Sequence, residues 1–200
     1  TPNSYDVYIG NATSAGQLLV SGGDFNVTAS TSQIRVGQAT AGTLTIGGGA
    51  DPLNTPTNPS TGNGFGGVNL FATAITTNGG DVSMRGRGNI NIGVSLTSVA
   101  NATNGACFID AGSGDILVHG QVMTQIAGVL NGVRLLGNNN VATLLPASLT
   151  TSGDITVTGI NNVVGGNGVF LNRASAITST GAGNVTVTGN ASMARWCATV

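Results

Sequence analysis

Apolar residues alternate with Thr, Ser or Asn in short runs along most of the chain, and Gly, Asn or Asp ends each run. A period of two sets the apolar side chains on one face of a strand. The residues that end the runs tolerate the positive φ of a sharp corner. The pattern predicts an all-β chain of many short strands separated by corners.

The runs also repeat. The stretch from Ile9 to Gly23 returns as Val36 to Gly48, with Gly42 in the place of Gly16. Further along, Gly80-Asp81-Val82-Ser83-Met84-Arg85-Gly86 recurs as Gly114-Asp115-Ile116-Leu117-Val118-His119-Gly120, as Gly153-Asp154-Ile155-Thr156-Val157-Thr158-Gly159 and as Gly183-Asn184-Val185-Thr186-Val187-Thr188-Gly189. The spacing between these copies is unequal, as loops of differing length inserted at the corners would make it. A second piece appears as Gly67-Val68-Asn69-Leu70, Gly132-Val133-Arg134-Leu135 and Gly168-Val169-Phe170-Leu171. A third, Ala74-Ile75-Thr76-Thr77-Asn78-Gly79, returns as Ala176-Ile177-Thr178-Ser179-Thr180-Gly181.

Three short strands per repeat, each followed by a corner, describe one coil of a parallel β-solenoid. Each strand pairs with its counterparts above and below at about 4.8 Å. At roughly 25 residues per coil, the chain is expected to make about eight coils and a rod about 40 Å long. Residues 1–50 and 65–190 carry the repeats. Between them, residues 51–64 hold three of the five prolines. Proline cannot donate to a central ladder, so this stretch is expected to project as a loop or to link the two repeat types. The loop is the preferred reading, because strand patterns resume on both sides. Residues 191–200 form a terminal tail.

Composition sharpens this picture. Gly numbers 33, charged residues are 6% of the chain, every acid is Asp and every base apart from His119 is Arg. So many Gly, Thr and Asn, without Lys or Glu, argue against a helical protein. Hydrophobic residues at 40% argue against disorder. Gly has no three-residue period, which excludes collagen. A net charge of −1 removes an electrostatic nucleic-acid binder, and no apolar run reaches membrane-spanning length. The chain opens at Thr1-Pro2-Asn3 and reads as a mature or excised piece. Thr and Asn on an outer face form ladders of like residues without the repulsion of stacked charges.

The unit Gly-Asp-Ile-Thr-Val-Thr-Gly, following a Gly-Val-x-Leu strand, resembles the repeats of filamentous-haemagglutinin-type bacterial surface proteins. The N-terminal pair, with Arg35-Val36-Gly37 and Gly42-Thr43-Leu44-Thr45-Ile46-Gly47-Gly48, is similar to autotransporter passenger repeats. The resemblance implies a right-handed parallel β-helix, exported to the cell surface or beyond as part of a longer polypeptide. It also implies service as an adhesin, fibre or surface coat.

Candidate chemistry is sparse. Asp81, Asp115 and Asp154, with Asn184 in the fourth copy, each follow Gly at a corner and are expected to cap it by bonding nearby backbone N–H groups. The competing reading, an edge of carboxylates that binds a cation or sugar, lacks a second acid of another type. Asp110 precedes Asp115 by little more than a turn, without the glycine spacing of a calcium-binding nonapeptide. His119 shares a strand position with Arg85, Thr158 and Thr188, polar and outward by alternation. Arg85 and Arg87 form the one basic pair. No metal or cofactor is expected, and no enzyme activity.

Cys107 and Cys197 are separated by chain enough for three or four coils. Within the stack their backbones would be roughly 14–19 Å apart, against the limit of about 7 Å for a disulfide. The tail folds back to pair them, or they bond between subunits, or both stay free. Trp196, beside Cys197, is a candidate to cap the core or to dock on a neighbour. Asn11, Asn26, Asn101, Asn184 and Asn190 begin glycosylation triplets, which arise readily by chance in a chain of this composition.

The expected function is that of an extracellular structural protein that assembles with itself, end to end or laterally, into a fibre, filament or coat. The alternative is an adhesin segment that binds glycans through a lateral face or the proline loop. A polysaccharide-acting enzyme is the remote third.

Overall fold

The computed structural model describes residues 6–9, 17–20, 25–36, 43–46, 68–77, 79–88, 92–98, 106–122, 130–140 and 143–192. These residues form strands and turns, with no helix among them. The proline-rich stretch 51–64 and residues 193–200 lie outside the described set.

In chain order the strands begin with β1 (Asp6–Ile9), β2 (Gln17–Val20), β3 (Phe25–Val36), β4 (Thr43–Ile46), β5 (Val68–Thr76) and β6 (Val82–Gly88). They continue as β7 (Ile92–Thr97), β8 (Cys107–Asp110), β9 (Ile116–Val122), β10 (Asn131–Leu136), β11 (Asn138–Asn140) and β12 (Thr143–Leu145). The last are β13 (Ala147–Thr151), β14 (Ile155–Asn161), β15 (Asn167–Asn172), β16 (Ala176–Ser179) and β17 (Val185–Ala191). Apart from the small antiparallel hairpin β11–β12, every pairing among the described residues is parallel.

The strands fall into three series: the first runs through the first half of β5, the second through its second half, and the third is the sheet of β2, β4, β6, β9, β14 and β17. One sheet stacks β2, β4, β6, β9, β14 and β17 in that order. The other sheet has nine strands and divides in two. In it β3 and β5 are long enough to serve both branches: Phe25–Thr28 pairs with Val68–Phe71, Ser32–Arg35 pairs with Thr73–Thr76, and the register shifts between. Above the first half of β5 come β7, β10 and β15. Above its second half come β8, β13 and β16. The chain visits the three series in rotation, and each circuit lays one tier on the last. A parallel partner cannot be reached by a two-residue hairpin, and here the path between partners runs through the other two series.

The repeats are the pairing registers. Gln17 pairs with Thr43, the same offset that relates Gly16 to Gly42. Val82, Ile116, Ile155 and Val185 stand in one column, each two positions after the first glycine of its copy. Leu18 and Leu44 belong to the same column, and Val20, Ile46, Met84, Val118, Val157 and Val187 to a parallel one. Period-two alternation holds one face of each strand inward. In the tier of β10, β13 and β14, Val133, Leu135, Ala147, Leu149, Ile155 and Val157 are all fully buried. They join the equivalent residues above and below in one continuous core. Each large side chain so buried contributes roughly 1.5–3 kcal/mol.

Where the third series turns into the first, two glycine columns interlock. A Cβ on Gly120 would lie 2.0 Å from the Gly132 carbonyl oxygen, and one on Gly159 would lie 1.9 Å from that of Gly168. Backbone meets backbone there, and no side chain fits between.

Candidate functional site

The four corner residues singled out in the repeats form a single column beside the third series. The Asp115 backbone N–H donates to Asp81 Oδ1 at 2.8 Å, the Asp154 N–H to Asp115 Oδ1 at 2.8 Å and the Asn184 N–H to Asp154 Oδ1 at 2.7 Å. In return the Asp115 carbonyl accepts from the Val82 N–H, the Asp154 carbonyl from Ile116 and the Asn184 carbonyl from Ile155, each at 2.8 Å. The ladder therefore runs through the corner without a gap. Each carboxylate replaces a backbone carbonyl that the turn has directed elsewhere. The sequence reading expects each of these residues to cap its own corner, whereas the N–H that Asp81, Asp115 and Asp154 serve belongs to the next strand of the series.

The column's chemistry is that of a structural acceptor. One oxygen of each carboxylate is engaged, and Asp81, Asp115 and Asp154 are exposed to solvent. Among the described residues no three His, Cys, Asp or Glu side chains approach closely enough to hold a metal ion. Asp110 caps its own turn, accepting the Gly112 N–H at 2.9 Å, where Gly112 has a φ of 65°.

Beneath this corner Thr77 and Thr151 are buried. The Thr77 hydroxyl donates to the Gly80 carbonyl and the Thr151 hydroxyl to that of Gly114. Threonine here ties the turn to the core edge, an inward use that alternation alone does not suggest.

Cys107 sits in the core, with no exposed surface, as a free thiol. Its Sγ donates to the Leu70 carbonyl at 3.5 Å. Burial pushes the thiol up to about 11, against the opposing pull of hydrogen bonds from the Thr73 and Thr97 backbone. Of the three arrangements open to the cysteines, Cys107 has the free one. Cys197 and Trp196 lie outside the described residues.

On the outer faces, Arg85, His119, Thr158 and Thr188 share one register column, as the alternation predicts. Arg134 is half-buried and donates to Ser95 Oγ at 3.1 Å and Thr97 Oγ1 at 3.2 Å, one tier below. Burial holds its guanidinium below the ordinary value. Arg173 and Ala174 adopt φ values of 53° and 49° at the corner before β16, a left-handed turn that costs non-glycine residues roughly 1–2 kcal/mol each. The Ser175 hydroxyl holds it, its one proton shared between the Leu135 and Asn172 carbonyls at 2.8 and 2.6 Å.

At β17 the two core columns come to the surface. Ile155 and Val157 have no exposed surface, whereas Val185 and Val187, one tier on in the same columns, are 44% and 45% exposed. β17 is the end strand of its sheet, and β2 is the end strand at the opposite side. A comparison of the chain with protein-family models, with curated proteins and with solved structures finds no match.

Proposed function

We propose that this chain is a right-handed parallel β-helix that works as a structural protein outside the cell, assembling with itself into a fibre, filament or surface coat. Each tier is one coil in this reading. The right hand is that of parallel crossover connections in general. One observation carries the reading: register-matched parallel strands that run from β2 to β17 and end, at β17, on an exposed row of core-position valines. Among the described residues β17 pairs with a strand on one side only, and a sheet edge that carries apolar side chains is a template on which strands add. The poverty of charge removes the repulsion that keeps most soluble proteins apart. The extracellular placement rests on the resemblance to bacterial surface repeats.

The test is direct. Light scattering of the purified chain should rise with concentration, and negative-stain microscopy should show filaments or sheets. A chain that stays monomeric up to its solubility limit ends the proposal.

A further inference from the structure

We infer that the outer face of the first series, at its end towards the second, binds a carboxylate-bearing polysaccharide, with Arg134 and Arg173 each taking a carboxylate. This is a further function beside self-assembly, and it rests on neither end of the stack.

The charges of the molecule are segregated. Asp81, Asp110, Asp115 and Asp154 stand at the corner between the second and third series. The opposite side is free of acids. From Ile92 to Ala106, from Asn131 to Pro146 and from Asn167 to Ser175 the sequence holds no Asp or Glu, and its only charges are Arg134 and Arg173. These stretches are β7, β10 and β15 with the corners that follow them. The β11–β12 hairpin leaves the stack at this same corner, and insertions between repeats commonly mark a binding side.

Arg134 pairs in register with Ser95 on one side and Phe170 on the other. Neither is charged, so stacking itself does not require a charge there. The guanidinium is nonetheless half-buried. Nε and Nη2 donate to Ser95 Oγ and Thr97 Oγ1, which orient the group without neutralising it. A charge drawn out of water without a counter-charge is costly, and a carboxylate brought by a ligand offsets that cost. The two hydroxyls occupy the side-on edge of the guanidinium. Its end-on edge, Nη1 and the second proton of Nη2, has the fork geometry that receives a carboxylate through two parallel bonds.

Arg173 is exposed and stands level with Gly137, where an added Cβ would lie 1.9 Å from the Arg173 carbonyl oxygen. The two arginines are therefore one strand apart and separated by roughly 10 Å along it. That spacing suits charges repeated along a polymer better than one small anion. Between them the face carries Phe170 and Leu136, both half-buried, and Asn172, which is exposed. A ring, an aliphatic side chain and an amide match the C–H faces and hydroxyl edges of a sugar. The face is lateral, so a strand added beyond β15 would pair with its backbone edge and leave it open.

Isothermal titration calorimetry with polygalacturonate at low ionic strength tests the site. Binding is expected, weakening as salt is added, and it should vanish with the fully methyl-esterified polymer. Arg134→Gln should lower the affinity about tenfold, and Arg134→Lys, which keeps the charge and loses the fork, nearly as much. Arg173→Asn should lower it about threefold. Asparagine suits a left-handed turn, so this variant should melt no lower than wild type, and its weaker binding is then no folding defect. Arg85→Gln, on the third series, should bind as wild type does. Absence of binding to polygalacturonate, equal binding of the esterified polymer, or full affinity in both Arg134→Gln and Arg173→Asn overturns the site. Polyglutamate or dextran sulfate binding as tightly as polygalacturonate overturns the assignment to a carboxylated sugar. None of these outcomes bears on self-assembly, which light scattering decides separately.

Discussion

Removing the Asp115 carboxylate takes the acceptor from the Asp154 N–H while leaving the turn and the Val82 bond in place. The group is exposed, so water replaces part of the loss. Asp115→Ala should cost about 1 kcal/mol and Asp115→Asn less than half of that, read from urea unfolding midpoints. Cys107 makes a different prediction. Its folded value of about 11 lies above the ordinary 9.0, so the folded state holds its proton where the unfolded chain has begun to lose it. Stability from this group is complete below pH 9 and is lost as pH rises towards 11, by about 2–3 kcal/mol in all. Thermal melts of wild type should fall through that window more steeply than those of Cys107→Ala. In a Cys197→Ser background, Cys107 should also react with a thiol reagent only on unfolding.

At the scale of elements, the glycine columns set what can change. Gly120→Ala drives a Cβ into the Gly132 backbone, where nothing can give, and should cost about 3 kcal/mol or more. Gly189→Ala meets its nearest atom at 3.2 Å and should stay within about 1 kcal/mol, by the same melting assay. The third series is legible from sequence because Gly recurs at one point before each strand and Asp or Asn follows it in the last four. The second is only half legible. Cys107–Asp110 and Ala147–Thr151 stack with Ala74–Thr76 and Ala176–Ser179, yet share with them little beyond alternation and one large aliphatic position, held by Ile75, Ile109, Leu149 and Ile177. Gly93-Val94-Ser95-Leu96 is a further copy of the Gly-Val-x-Leu piece that the repeats quoted from sequence leave out, and it pairs with both Val68–Phe71 and the β10 strand. A coil length of roughly 25 residues, typical of solenoid repeats, is also too short for the tiers from β6 onward. Their corresponding strands open at Val82, Ile116, Ile155 and Val185, a wider and uneven spacing. Connections lengthen freely because stacking constrains strands and leaves the loops between them unconstrained. The hydrogen-bond partner of each aspartate is illegible for a related reason: it lies a whole circuit away in sequence and one strand spacing away in space.

For the whole molecule, stability is carried by contacts between neighbouring tiers, as in other stacked repeat architectures. The middle tiers are covered on both sides and the β15–β17 tier on one. Amide exchange should be slowest in β9 and β14 and faster in β17. Under conditions that favour polymer, β17 should become as protected as β14. That shift would show in exchange mass spectrometry even where filaments are too short to see.

The identity of register from tier to tier makes length an adjustable property. Ile116 and Ile155 stand at equivalent points of successive tiers and follow Asp115 and Asp154. Excising residues 116–154 joins Asp115 directly to Ile155, with the corner acceptor, both apolar columns and the glycine contact still in sequence. Such a chain should fold into a molecule shorter by one strand spacing. A gene encoding it could gain or lose whole tiers by recombination between repeats, without passing through a sequence that cannot fold.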